Sequence, residues 1–442
     1  MNPNYLQFLY NLGLFNIKLG LSTISSMLER LENPHHHPAI IHFAGTNGKG
    51  STLVTLENLL IASGFKTGST ISPHLISFNE RFRINGIPVE DEELDEAFLM
   101  ICQACDISWE DNSSQTKEDE LAPTFFEFAI AMAFVLFRKH QVDYILLETG
   151  LGGRLDATNV ISNPLACVIT KIDYDHQEFL GETLDQITLE KLGIVKENSP
   201  VFSAYQSESV LKQIREFCSE NHNEFYFAPQ HYGFENLTSK SSVNYYVAGE
   251  ANKVSIQVKN QSLQGDMQKE NTSTALGVYH TLLTDNQILS PSEIQKVLSN
   301  IHWSGRLQYI KYKPPILIDG AHNLSGFKQL LQHLNSNHLN ERILFAIGWK
   351  KNKNLLSQSA VSDLKKFEVQ PIQMEEETGE SVEEIKRLLE SNEIDPLDSM
   401  TVPNLIDKMK RQQLEQYDLV VISGSLYLIG EFLEKWSSQN QS

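Results

Sequence analysis

Cysteine is scarce in this chain, with four residues in 442. That is too few for a disulfide scaffold. The opening residues Met1-Asn2-Pro3-Asn4-Tyr5 lack the basic flank and apolar stretch of an export signal, so a reducing, cytoplasmic setting is expected. No uninterrupted apolar run approaches the roughly 20 residues that cross a bilayer, and no membrane segment is expected. Positive charge is also in short supply. Lys and Arg total 36 against 56 Asp and Glu, a formal net charge of −20. This argues against nucleic acid or an anionic membrane as the main partner. There is no Gly-x-Ser-x-Gly elbow, no internal repeat and no low-complexity segment.

Two apparent metal motifs have simpler explanations. Cys102-Gln103-Ala104-Cys105 has zinc or redox spacing, but Cys167 and Cys218 supply no matching second pair. Cys102 also sits in an amphipathic run with Phe98, Leu99 and Ile101, so ordinary helix cysteines are expected. His35-His36-His37 lies in a Pro-flanked loop, where adjacent side chains point apart, and a solvated loop is expected.

What the chain does have is Ile40-Ile41-His42-Phe43-Ala44 running into Gly45-Thr46-Asn47-Gly48-Lys49-Gly50-Ser51-Thr52, followed by Leu53, Leu56, Leu59 and Leu60. This is the order strand, glycine-rich turn, helix. Backbone N–H groups of such a turn converge on an anion, and Lys49 can reach the terminal phosphates. The spacing departs from G-x-x-x-x-G-K-[ST], because Phe43 stands at the first glycine position. An acidic protein that binds a nucleotide must concentrate positive charge locally, through lysines, helix N-termini and metal ions.

The length suggests two domains. Residues 1–40 read as a helical lead-in, with Leu12, Leu19, Leu21, Ile24 and Leu28 apolar. Strands are expected over 66–71, 143–149, 165–170 and 200–204, with an almost wholly apolar helix over 125–140. The 79–86 stretch reads as a charged excursion and 106–120 as an exposed insertion. A β-rich part is expected over 226–258, then helices near 272–283 and 292–300. The alternation restarts after Trp303-Ser304-Gly305-Arg306, with strands at 316–319, 343–347 and 419–423. The fold class expected is therefore α/β: a P-loop-type, mainly parallel sheet domain with a small β-rich part (1–301), then a smaller Rossmann-like α/β domain (302–442).

Open α/β sheets bind ligands beyond the carboxyl ends of their strands. Ser72, Glu148, and Asp173, Asp175 and His176 all follow strands and offer oxygen or imidazole ligands, as phosphoryl-transfer metals require. Glu148 alone equally suits a surface cap. Asp156-Ala157-Thr158-Asn159 fits a plain turn, yet the glycines at 150, 152 and 153 permit close approach to a ligand. Asp319-Gly320-Ala321-His322-Asn323 fits either a ligand-facing strand end or a helix N-cap.

In order along the chain, Gly45–Ser51, Ser72-Pro73-His74-Leu75, Asn79-Glu80-Arg81, the run Gly150 to Asn159, Glu190-Lys191, Trp303–Arg306 and Asp319–Asn323 resemble the folylpolyglutamate synthase/dihydrofolate synthase family of the Mur ligase superfamily. The resemblance extends to Ser423-Gly424-Ser425-Leu426-Tyr427. It implies ATP-dependent addition of L-glutamate to a pteroate or folate carboxylate through an acyl phosphate, with dihydropteroate or reduced folates as substrates. It further implies that Gly45, Thr46, Asn47, Gly48, Lys49, Gly50 and Ser51, with Asn271, Arg306, Asp319 and His322, hold ATP. Ser72 and Glu148 would bind one Mg²⁺ and His176 a second, beside a carbamylated Lys191. Lys49, Glu148, His176 and Lys191 would be the catalytic set. Lys18, Leu19, Gly20, Thr124, Leu155, Asp156 and Ala157 would line the pterin pocket. A monomer is implied.

The sequence also departs from the family pattern. Gly265-Asp266-Met267-Gln268 stands where the family usually has Gly-Arg-His-Gln, and Lys350-Lys351-Asn352-Lys353 replaces a common Asp-Lys-Asp run. Ser304 replaces a proline and Leu192 an alanine. A peptidoglycan Mur ligase would be expected to carry a further domain before the phosphate loop, where only about forty residues stand here. A nucleotide-binding protein without catalysis is the other alternative, and the presence of Glu148, His176 and Lys191 argues against it.

Overall fold

The computed structural model describes residues 1–13, 20–37, 39–109, 122–237, 242–248, 253–351, 353, 355–375 and 378–440. Lys18, Leu19, Asn352 and most of the expected 106–120 insertion lie outside the described residues. The chain divides into two compact units, Met1–Gln261 with Gln268–Ile301, and Ser262–Met267 with His302–Ser442.

The first unit is built on eight strands: β1 (Ile40–Ala44), β2 (Thr67–Thr70), β3 (Phe82–Ile84), β4 (Ile87–Pro88), β5 (Tyr144–Glu148), β6 (Ala166–Ile169), β7 (Val201–Ser203) and β8 (Phe225–Phe227). Their order is β4-β3-β2-β5-β1-β6-β7-β8. The six from β2 to β8 in that order are parallel, while β3 and β4 add an antiparallel edge. β1 is buried at every residue, as a strand with helices on both faces must be. It lies between β5 and β6, so the connections leaving β1 and β5 diverge at its carboxyl end and open a crevice there.

Helix Phe125–His140 belongs to the main apolar core of this unit. Thr124 starts it with a capping box: its hydroxyl accepts from Glu127 N (3.2 Å), and Glu127 Oε2 accepts from Thr124 N (2.8 Å). Gln141, in the left-handed conformation, ends it. The 79–86 stretch differs from the charged excursion expected, because it supplies the antiparallel edge. Arg83 is buried there and pairs with Glu57 at 3.3 Å, and Glu57 also accepts from the Ser69 hydroxyl at 2.7 Å. Paired, hydrogen-bonded charges can enter a core that single charges cannot.

A separate antiparallel sheet, β9 (Tyr232–Asn236), β10 (Ser242–Ala248) and β11 (Lys253–Lys259), forms the β-rich part. The second unit has β12 (Gln308–Ile310), β13 (Ile316–Asp319), β14 (Ile343–Ile347), β15 (Glu368–Gln373), β16 (Met400–Thr401) and β17 (Leu419–Ser423), in the order β12-β13-β17-β14-β15-β16. All but β12 run parallel. Among the described residues no helix is long and apolar enough to cross a membrane.

Candidate active site

The turn after β1 is a rigid cradle. Thr46 N and Asn47 N both donate to Lys171 O (2.8 and 3.1 Å), and the Thr46 hydroxyl donates to Asp173 O (2.9 Å). The loop is thereby laced to the chain leaving β6. Gly48 has φ +91° and a Cβ there would strike the Asn271 side-chain carbonyl, so only glycine fits. Helix Lys49–Ala62 starts at Gly48 with no side-chain cap. Its first N–H groups and the positive end of its dipole are those a phosphate requires.

Two ammonium groups converge on one oxygen of this cradle. Lys49 Nζ donates to Gly45 O at 3.0 Å, and Lys191 Nζ to the same oxygen at 2.9 Å. Lys191 is buried, although it was equally legible as an exposed lysine. Burial above all, then repulsion from Lys49, pulls its pKa down to about 7, against the opposing pull of Asp175 and Asp156. Helix Leu184–Leu192, capped by Thr183 and Gln186, delivers it.

Strands on both sides of β1 complete the region. Glu148 ends β5, is buried, and accepts from Ser72 N at 3.0 Å, which joins two of the expected metal ligands. His176 follows β6 in the left-handed conformation, with Nε2 3.8 Å from Asp175 Oδ1. Among the described residues no three His, Cys, Asp or Glu side chains cluster as a ready-made metal cage. Mg²⁺ is bound by one or two carboxylates and fills its octahedron with waters and phosphate oxygens. Glu148 and the Ser72 hydroxyl are hard oxygen donors of the right kind.

The turn from Gly150 to Asp156 packs on the end of the Lys191 helix. Arg154 N donates to Glu190 O (2.8 Å), and Asn159 Nδ2 bridges Arg154 O and Gly193 O (2.9 and 3.0 Å). A Cβ on Gly153 would lie 2.8 Å from Glu190 O and 2.9 Å from Lys191 O. Asp156 is buried and accepts from Leu151 N (2.8 Å) and from Thr158 N (3.0 Å). Burial pushes its carboxyl pKa up, against those hydrogen bonds. Nearby, Arg81 Nε donates to His74 Nδ1 at 2.8 Å and lies 5.1 Å from the Phe125 ring centroid. Burial, then Arg81, lowers the His74 pKa to about 3, so its ring is neutral. Of the expected pterin contacts, Thr124 is a buried helix cap and Gly20 has φ +144°.

In the second unit, Asp319 ends β13 and accepts from Leu307 N (2.8 Å) and Ala321 N (2.9 Å). Burial raises its pKa, and the Arg306 guanidinium opposes that shift. His322 Nδ1 donates to Gly320 O at 2.9 Å, and Asn323 caps helix Leu324–Asn337. The N-cap alternative thus belongs to Asn323. Reading the residues alone missed His42 and Thr158, which meet beneath the cradle at 2.8 Å. The signal available was a histidine inside the otherwise apolar run 40–44.

A phosphate cradle on a parallel sheet, a buried lysine at its side and a second Rossmann-like unit define a nucleotide-dependent α/β ligase. The comparisons sharpen that class. Over 434 residues, 95% of this chain and 96% of the relative, it is 31% identical to the dihydrofolate synthase/folylpolyglutamate synthase of Bacillus subtilis (strain 168). The solved structure of E. coli FolC in complex with DHPP and ADP matches with a TM-score of 0.83 at 25% identity, covering 99% of this chain and 97% of that one. The bifunctional enzyme of Yersinia pestis complexed with AMPPNP and Mn ion matches with a TM-score of 0.80 at 26% identity, covering 98% and 97%. No family model matches. The chain belongs to the dihydrofolate synthase/folylpolyglutamate synthase family.

Proposed function

We propose that this protein joins L-glutamate to the carboxylate of dihydropteroate, of reduced folates, or of both, using ATP and releasing ADP and phosphate. The observation that carries the reading is the buried Lys191 bonded to Gly45 O of the glycine cradle after β1, with Glu148 ending the neighbouring strand β5. A substrate carboxylate oxygen attacks the γ-phosphorus of ATP, the bond to ADP breaks, and an acyl phosphate forms. The glutamate amine, having lost a proton, then attacks the acyl carbon and phosphate leaves.

The difficulty is bringing two anions together. Like charges 4 Å apart at an effective dielectric of 20 repel by about 4 kcal/mol. Lys49 and the N–H groups of the uncapped helix start would oppose that repulsion at the nucleotide. Ser72 and Glu148 would hold one Mg²⁺ and His176 a second, supplying further charge neutralisation for the phosphoryl group. Lys191 would serve as its carbamate, an anionic ligand beside that second ion. Asn271 would complete the cradle, with Arg306, Asp319 and His322 as the second unit's nucleotide contacts. Thr124, Leu155, Asp156 and Ala157 would face the pterin. A monomeric, cytoplasmic enzyme completes the reading.

The test is incorporation of radiolabelled glutamate, with ADP release, comparing dihydropteroate and tetrahydrofolate. Incorporation into at least one is expected. ATP binding without ADP release in the presence of either substrate would return the protein to a non-catalytic role.

A further inference from the structure

The last paired residues of β6 and β7 are Ile169 and Ser203, and Ala204 N closes that ladder by donating to Ile169 O at 2.9 Å. Beyond this point a side chain continues the pairing. Gln206 Nε2 donates to Thr170 O at 2.9 Å, and Gln206 Oε1 accepts from Ile172 N at 3.0 Å. The same Nε2 lies 3.4 Å from the Ser203 hydroxyl. A carbonyl can only accept and a peptide N–H can only donate, so these partners fix which end of the carboxamide is which. In a parallel ladder, a residue donates to the carbonyl before the residue it faces and accepts from the N–H after it. The Gln206 carboxamide makes that pair of bonds around Lys171. It stands in for one more residue of β7.

The other edge of the same segment carries the phosphate cradle. Lys171 O accepts from Thr46 N and Asn47 N, and the Thr46 hydroxyl donates to Asp173 O (2.9 Å) and accepts from Asp173 N (3.1 Å). Thr170 N donates to Ala44 O at 2.8 Å. Gly45 lies so close to this segment that a Cβ on it would fall 1.9 Å from Thr170 Oγ1. Gly45 O is the oxygen on which Lys49 and Lys191 converge. A small shift of residues 170–172 would therefore move the loop backbone and the seat of both ammonium groups.

We infer that Gln206 is a positioning residue for the nucleotide: from one layer behind the cradle it clamps residues 170–172, and through them it sets the place of Gly45, Thr46 and Asn47. This rests on the reading that the cradle holds the phosphates of ATP. Glutamine suits the task because it offers a donor and an acceptor at the spacing of a peptide group. Glutamate would lose the donor and set an anionic oxygen against Thr170 O. Asparagine is one methylene short, and an aliphatic side chain supplies neither bond.

The test joins hydrogen exchange in the ATP-free protein to calorimetry and kinetics. In Gln206→Met, peptides spanning the loop should exchange their Thr46 and Asn47 amides roughly ten-fold faster, while helix Phe125–His140 keeps its wild-type rates. ATP affinity should fall roughly ten-fold, with KM for the pterin substrate changed less than about two-fold. Gln206→Glu should lose at least as much. Thr46→Val cuts a tie to the same segment, so adding Gln206→Met to it should cost less than in the wild type. If Gln206→Met does not fold, Gln206→Glu decides. Unchanged exchange at Thr46 and Asn47, or a uniform increase across the protein, overturns the inference. Unchanged ATP affinity in Gln206→Met overturns it as well, and Gly48→Ala then separates the two failures. If Gly48→Ala weakens ATP binding, the cradle reading stands and Gln206 alone loses its role; if it does not, both fall.

Discussion

The protonation of Lys191 makes the strongest numerical claim. A carbamate forms when a neutral amine attacks CO₂, making an N–C bond and releasing a proton. At pH 7 an ordinary lysine is neutral in roughly one molecule in a few thousand. With its pKa lowered to about 7 by burial and by Lys49, Lys191 is neutral in about half. Its reactive fraction is raised roughly a thousand-fold. Product formation also exchanges a cation beside Lys49 for an anion, which removes the repulsion. The perturbation is Lys191→Ala and the assay is glutamate-dependent ADP release. Turnover should fall at least about a hundred-fold, as loss of a transition-state interaction does. Acetate or another small carboxylic acid should restore part of it by supplying the missing anion. Labelled bicarbonate should give a carbamate carbon signal in the wild type and none in the variant. Wild-type turnover by Lys191→Ala would refute the reasoning outright.

The same lysine predicts a stability profile. Its folded pKa lies below the unfolded value of 10.5, so between about pH 7 and 10.5 the unfolded chain holds more protons. Stability of the CO₂-free protein should therefore rise with pH across that window, by at most about 1.4 kcal/mol per unit from this group. Lys191→Met should flatten that part of the profile in denaturant titrations. Gly48→Ala forces a β-carbon against Asn271 at φ +91° and should weaken ATP binding by calorimetry at least about ten-fold. Glu148→Gln, which keeps the shape and removes the charge, should raise the Mg²⁺ concentration for half-maximal rate about ten-fold or more. Unchanged affinities would remove Gly48 and Glu148 from these roles.

The central strands were legible because a strand covered on both faces is a continuous apolar run, and Ile40–Ala44 and Tyr144–Leu147 are such runs. β15 was not, because Glu368-Val369-Gln370-Pro371-Ile372-Gln373 reads as a polar stretch interrupted by proline. The antiparallel edge was hidden by Arg83, whose burial depends on Glu57, 26 residues earlier, a pairing that no local pattern announces. The cradle was legible from its glycines. Lys191 was not, since Glu190-Lys191 alone suits any exposed helix end, and only the family resemblance singled it out. His42 and Thr158 stayed invisible because their meaning lies in each other.

The tight seam between Gly153 and the end of the Lys191 helix bears on any effort to redesign this part of the protein. A β-carbon on Gly193 would collide with the Arg154 backbone, just as one on Gly153 would meet the carbonyls of Glu190 and Lys191. Neither partner can gain even a methyl group without prising its neighbour away. Diversity placed at the two glycines would therefore wreck the lysine's seat, whatever else it altered.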